Sequence, residues 1–138
     1  MQNLIGDTTM GLLSRSLDAA FTRQEVIANN IANHNTPGFK KSRVAFEEYL
    51  QQALGGDGKK LPLWKTNPRH FGAYDSIDAV KAENKKITQG SMRVDGNNVD
   101  LEEEMTNLAM NGINYNFATR MLNNKISNIR HVVSEGRR

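Results

Sequence analysis

The residues able to do chemistry in this chain are few and scattered. Glu102, Glu103 and Glu104 stand together and could be read as an acid–base or metal-binding cluster. No histidine or aspartate near them completes a metal set, and three carboxylates at the start of a helix have a plainer use, in the positive end of the helix dipole. His34, His70 and His131 lie far apart and no pair has the spacing of helical metal ligands. The chain has no cysteine, which excludes disulfides, thiolate zinc sites and a cysteine nucleophile. No phosphate-binding glycine loop and no nucleophile elbow is present. The expectation is no enzyme, with no catalytic, cofactor-binding or metal-binding residue and no cofactor.

The charge pattern also argues against binding to nucleic acid. The net charge of +3 over 138 residues is modest, and the basic residues are spread over Lys40, Lys41 and Arg43, then Lys59 and Lys60, then Arg120 to Arg138. A nucleic-acid surface concentrates them in one stripe with stacking aromatics. The basic C-terminal run suits a helix C-terminus, or an acidic patch on a neighbouring molecule. Composition is polar, with 38% hydrophobic and 24% charged residues and a mean hydropathy of -0.61. That suits an elongated helical protein better than a compact enzyme. No basic-then-apolar leader opens the sequence, and no apolar run approaches the ~20 residues needed to span a bilayer.

Two long segments dominate the pattern. From about Thr8 to Asn33, Met10, Leu13, Leu17, Ala20, Gln24, Ile27 and Ile31 follow alternating steps of three and four, the spacing of a coiled-coil seam. Thr36-Pro37-Gly38 stops that helix. From Asp100, whose side chain is placed to cap, a second helix carries Leu101, Met105, Leu108, Gly112, Tyr115, Thr119, Leu122, Ile126, Ile129 and Val133 at the same spacing. Gly112 weakens it by about 1 kcal/mol relative to alanine.

Between them the composition changes. Phe46 to Leu54 predicts a short helix, stopped by Gly55-Gly56-Asp57-Gly58. Prolines and separated aromatics follow, with short strands expected around Val80 and Ile87 and around Ser91 to Val94, and a turn at Asp95-Gly96. The fold class is therefore mainly α: long N- and C-terminal helices paired in coiled-coil fashion, and a short loop-rich middle with a small helix and short β-strands. Residues 1–35 and 99–138 make a discontinuous helical domain and 36–98 the middle segment. Burial along one seam and the helical hydrogen bonds about offset the entropy of ordering two such helices. Phe21, Val26, Ile113, Phe117, Met121 and Val132 form further apolar surface off the seam. A second stripe calls for a second partner, which neighbouring copies would supply.

The stretch Ala28-Asn29-Asn30-Ile31-Ala32-Asn33-His34-Asn35-Thr36-Pro37-Gly38-Phe39-Lys40 resembles the signature of the flagellar axial proteins, the rod, hook and hook-associated proteins. Leu63 to Phe71 and Asp95 to Met105 are similar to the middle segment and to the approach to the C-terminal helix in the proximal rod proteins of that family, and the likeness spans nearly the whole chain. Gly112-Ile113-Asn114 departs from it. The resemblance implies a structural subunit of the proximal rod of the bacterial flagellar basal body, in the periplasm, exported by the flagellar type III apparatus without a cleaved signal. Its implied partners are copies of itself, other proximal and distal rod proteins, and the basal-body protein that joins export gate to rod, with no nucleic acid and no small-molecule substrate. The implied signature residues are Ala28, Asn29, Asn30, Ile31, Ala32, Asn33, Asn35, Thr36, Pro37, Gly38, Phe39 and Lys40. The assembly seam is expected at Leu13, Leu17, Ile27, Ile31, Leu101, Met105, Leu108, Leu122, Ile126 and Ile129. Another axial subunit, or a coiled-coil adaptor unrelated to flagella, is the competing reading.

Overall fold

A computed structural model describes residues 8–54, 80–91 and 93–135. In chain order these hold helix α1 (Thr8–Ala32), strand β1 (Ser42–Ala45), helix α2 (Glu47–Leu54), strand β2 (Glu83–Lys86) and helix α3 (Leu101–Glu135). Both long helices form as their periodicity requires. Asn33 closes α1: its own amide N–H bonds the carbonyls of Asn29 and Asn30, at 3.2 and 3.1 Å. Gly38 then turns the chain with φ +71°, in the left-handed region that glycine enters without strain. Asp100 caps α3, its Oδ1 accepting from the amides of Glu102 at 2.9 Å and Glu103 at 3.3 Å.

The two long helices lie antiparallel. Asn30, near the end of α1, bonds Glu104 in the first turns of α3, while Ala20, further back in α1, meets Asn111, further on in α3. With 25 residues in α1 and 35 in α3, a rise of 1.5 Å per residue makes them about 37 and 52 Å long. The last turns of α3 therefore run about 15 Å past the start of α1 at Thr8.

The middle elements pack on the other side of α1. Ala19 and Val26 of α1 form a core with Val44, Phe46 and Val80, closed by Tyr49, Leu50, Ala53 and Ala82. So α1 is buried along two flanks: Ala20 and Ile27 belong to the flank beside α3, and Ala19 and Val26 to the flank beside β1 and α2. Strands β1 and β2 pair antiparallel, Ser42 opposite Lys86 and Ala45 opposite Glu83. That ribbon puts Arg43 opposite Lys85, a repulsive pair that Glu48 relieves by binding both, at 3.1 and 3.9 Å. The strand at Ser42–Ala45 was not expected from its sequence, which is too short to show an alternation. The expected strand at Ser91 to Val94 is absent among the described residues. Arg93 to Gly96 instead form a turn, closed by the Gly96 amide on the Arg93 carbonyl at 3.1 Å. The segments Gly55 to Gly58 and Leu63 to Phe71 lie outside the described residues, apart from which α2 begins one residue later than expected.

Candidate functional site: an asparagine latch and the paired helices

The stretch from Ala28 to Lys40 and the stretch from Asp95 to Met105 meet in space. Asn97 is the centre of the junction and is fully buried. Its Nδ2 donates to the carbonyls of Asn33, His34 and Thr36 at 3.1, 3.0 and 2.9 Å. Its Oδ1 accepts from the Val99 amide at 2.7 Å. These carbonyls belong to the turn that leaves α1, where those of Asn33 and Thr36 also accept from the amides of Thr36 and Phe39, at 3.0 and 3.2 Å. One amide side chain thus gathers the turn that follows α1 and fixes the entry to α3.

Asn98 does the same for the strand. Its Oδ1 accepts from the Lys41 amide at 2.7 Å and its Nδ2 donates to the Ile87 carbonyl at 3.0 Å. Asn30 closes the third side. It is buried, exchanges both hydrogen bonds with the Ser42 backbone, at 2.8 and 3.0 Å, and donates to Glu104 Oε2 at 3.0 Å. The amide is suited to this work because it donates and accepts at once without carrying charge. Peripheral contacts complete the latch. Arg93 donates to the His34 carbonyl and to Asn35 Oδ1, Lys40 to the Gly90 carbonyl at 2.8 Å, and the Gly38 amide to the Asp95 carbonyl at 2.9 Å. Lys41 pairs with Glu103 at 2.7 Å. Gly96, with φ +82°, lies against Gly38 so closely that an added Cβ would touch the Gly38 Cα at 3.7 Å.

Of the signature residues, Asn30 is buried, Ile31, Asn33, Phe39 and Lys40 are half-buried, and Ala28, Asn29, Ala32, Asn35, Thr36, Pro37 and Gly38 are exposed. Along the seam, Ile27 is buried, Leu13, Leu17, Ile31, Leu108, Leu122 and Ile129 are half-buried, and Leu101, Met105 and Ile126 are exposed. The residues of α3 most deeply covered are Glu104, Asn111 and Ala118. The line along which α3 is covered thus contains polar side chains, and apolar periodicity could not reveal it. Asn97 and Asn98 also escaped a role in the sequence reading. The one signal they gave was their place beside Asp95-Gly96 just ahead of a helix cap.

The rest of α3 presents apolar side chains to the outside. Ile113, Phe117 and Met121 recur at steps of four and are exposed, Phe117 by 65%. Phe21, Met105, Met110, Val132 and Val133 are exposed as well. Single exposed apolar residues are ordinary, but a run on one helix flank marks an interaction surface. His34 bonds its own helix end at the Ile31 carbonyl, and His131 faces Glu135 one turn on. His70 lies outside the described residues. Among the described residues no three His, Asp or Glu side chains are grouped to hold a metal, and no helix is long and apolar enough to cross a membrane.

Residues 13–40 match the family described as flagella basal body rod protein. The flagellar basal body rod protein FlgB of Bacillus subtilis is 36% identical over 131 residues, covering 94% of this chain and 95% of its own length. FlgB of Borreliella burgdorferi is 34% identical over 110 residues, 78% of this chain and 82% of its own. FlgB of Yersinia ruckeri is 30% identical over 135 residues, 94% of this chain and 96% of its own.

Proposed function

Since the chain belongs to the FlgB family of flagellar basal body rod proteins, a structural subunit of the proximal rod, we propose that it polymerises through its terminal helices into the torque-transmitting shaft that crosses the periplasm. The observation that carries this reading is the surface of α3. One flank is covered by α1, and the opposite flank, with Ile113, Phe117 and Met121, is exposed in the single chain. Such a helix is half of an interface, and contact with neighbouring subunits removes its apolar surface from water. Residues 1–35 and 99–138 then form the helical inner domain, and 36–98 the segment that braces it. The seam residues Leu13, Leu17, Ile27, Ile31, Leu101, Met105, Leu108, Leu122, Ile126 and Ile129 serve the pairing within a subunit and between subunits.

The latch has a role in this scheme. A drive shaft must resist twisting, and the joint between a helix and its connecting loop is where a helical hairpin yields. Several hydrogen bonds from Asn30, Asn97 and Asn98 tie that joint to both helices and to β1. The subunit is exported by the flagellar type III apparatus, and docks beside the basal-body protein that joins export gate to rod. Other proximal and distal rod proteins stack beyond it. No catalysis, cofactor or small-molecule substrate belongs to this function.

Deletion and complementation test it. Cells lacking the chain are expected to be non-motile and to lack rods. The wild-type chain restores both and is recovered in purified basal bodies, whereas Ile126→Asp restores neither. Normal swimming in the deletion strain would overturn the proposal.

A further inference from the structure

A groove of about 290 Å³ lies between α1, β1 and α3, with Val26, Ile27 and Val44 along one side and Glu104, Met110 and Asn111 along the other. Two features set it apart from ordinary surface relief. Glu104 is 4% exposed, yet among the described residues no cation lies within ion-pair distance of it. Buried charges are as a rule paired, because removing a carboxylate from water costs several kcal/mol unless a cation compensates. The second feature is Asn111. It is 3% exposed, its Nδ2 donates to the Ala20 carbonyl, and its Oδ1 has no partner. The groove therefore holds a carboxylate that an amide reaches but no cation compensates, and an amide oxygen that has no donor.

The chain's own cations do not fill it. Arg23 and Arg43 stand at its edge but bind Glu47 and Glu48, at 2.6 and 3.1 Å. The basic residues further along α3 cannot reach. Arg120 is sixteen residues beyond Glu104 on one rigid helix, about 24 Å away at 1.5 Å per residue. A second copy faces no such limit. On the outer flank of α3, Arg120 is exposed and makes no ion pair among the described residues, and it is bordered by exposed Phe117 and Met121. An arginine set among aromatic and methionine side chains is the usual composition of an interface centre.

We infer that the Glu104 groove receives Arg120 of a second copy of the chain, with Phe117 and Met121 of that copy resting on Val26, Ile27 and Val44. This rests on the assembly reading above and gives it an orientation. Groove and donor face are different surfaces of the same molecule, so the contact is heterologous and repeats from copy to copy into a ring or helical array. The guanidinium supplies the cation that Glu104 lacks and brings five N–H donors to a groove of acceptors.

Disulfide trapping tests the contact, since the chain has no cysteine to confuse the result. Asn107→Cys lies in the groove wall and Asn124→Cys one turn beyond Arg120. Within one chain these are seventeen residues apart on α3, too far to join. In basal bodies from cells expressing the full-length double variant, mild oxidation is expected to give dimers and higher ladders of this chain. Ala109→Cys paired with Asn124→Cys, with the first cysteine on the flank away from the groove, is expected to give none. Adding Glu104→Gln, which keeps an acceptor for Asn30 and removes the charge, should lower the cross-linked yield about tenfold. Basal bodies that contain the chain but give no cross-link, or cross-links to another protein only, overturn this contact and leave the rod function standing. An unchanged yield with Glu104→Gln overturns the ion pair. Basal bodies that lack the wild-type chain overturn the function as well.

Discussion

Replacing Asn97 with alanine should destabilise the chain by about 3 kcal/mol, the sum of what four lost polar contacts, three of them sharing the two amide hydrogens, cost in their different surroundings. The Val99 amide belongs to a buried residue and loses the acceptor that held it at 2.7 Å. An unsatisfied buried group of that kind costs roughly 1–3 kcal/mol. Asn33 and His34 are half-buried, and their carbonyls lose donors at 3.1 and 3.0 Å, although the Thr36 amide still reaches the Asn33 carbonyl and Arg93 the His34 carbonyl. Water repairs these in part. Thr36 is exposed, so its carbonyl is rehydrated at small cost. A loss of about 3 kcal/mol is about a hundredfold in the folding equilibrium. With a urea dependence of roughly 2 kcal/mol per molar for a chain of this size, the midpoint should fall by about 1.5 M. The assay is a urea titration of the purified chain followed by far-ultraviolet circular dichroism. Asn97→Asp should be at least as damaging at neutral pH, because its carboxylate would face three carbonyl oxygens. Asn35→Ala is the control: Asn35 is exposed and accepts one bond from Arg93 at 3.2 Å, so its effect should stay within about 0.5 kcal/mol. If Asn97→Ala unfolds within that same margin of the wild type, the latch does not hold the two helices and the reasoning fails.

The other perturbations separate backbone, packing and charge. Gly112→Ala should raise the stability of the single chain by about 1 kcal/mol, since an added Cβ meets nothing within 4 Å; a melting curve checks it, and the same variant blocked in rod assembly would show that a neighbouring helix packs against that glycine. Gly38→Ala should cost about 1–2 kcal/mol, because its φ of +71° opposes any side chain, read in the same titration. Lys85 is held above its ordinary pKa, first by its hydrogen bond with Tyr49 and then by the carboxylates Glu48 and Glu83. A pKa higher in the folded chain means that this stabilisation is complete below the unfolded value and disappears as pH rises through the folded one. Side-chain NMR titration should show Lys85 losing its proton at a lower pH in Tyr49→Phe than in the wild type, and an identical curve would contradict the assignment.

The long helices were legible because their information is local and repeated. Seven positions in α1 and ten in α3 report the same spacing, so a break at Gln24 or Gly112 does not erase it. Helix ends were legible for the same reason, since Asp100, Pro37 and Gly38 act on their immediate neighbours. The ribbon was not. Four-residue strands such as Ser42–Ala45 and Glu83–Lys86 show no periodicity, and each exists because it pairs with the other across some forty residues. The same limit hid half of the candidate site. The run from Ala28 to Lys40 stood out by its length, but Asn97 could not be assigned to its carbonyls, sixty-odd residues away, without the chain's path between them.

What the sequence determined alone is therefore the family, the mainly helical class and the two helices with their caps, all carried by short-range spacing and turn chemistry. Tertiary structure decided which flank of each helix is covered. Apolar spacing placed the face of α3 at Met105, Gly112 and Thr119, one position round from Glu104, Asn111 and Ala118, which the fold actually buries. The reason is that buried amides and a carboxylate are tolerated where polar groups of another element meet them, and no local pattern records where the Ala20 carbonyl or the Asn30 side-chain amide will stand.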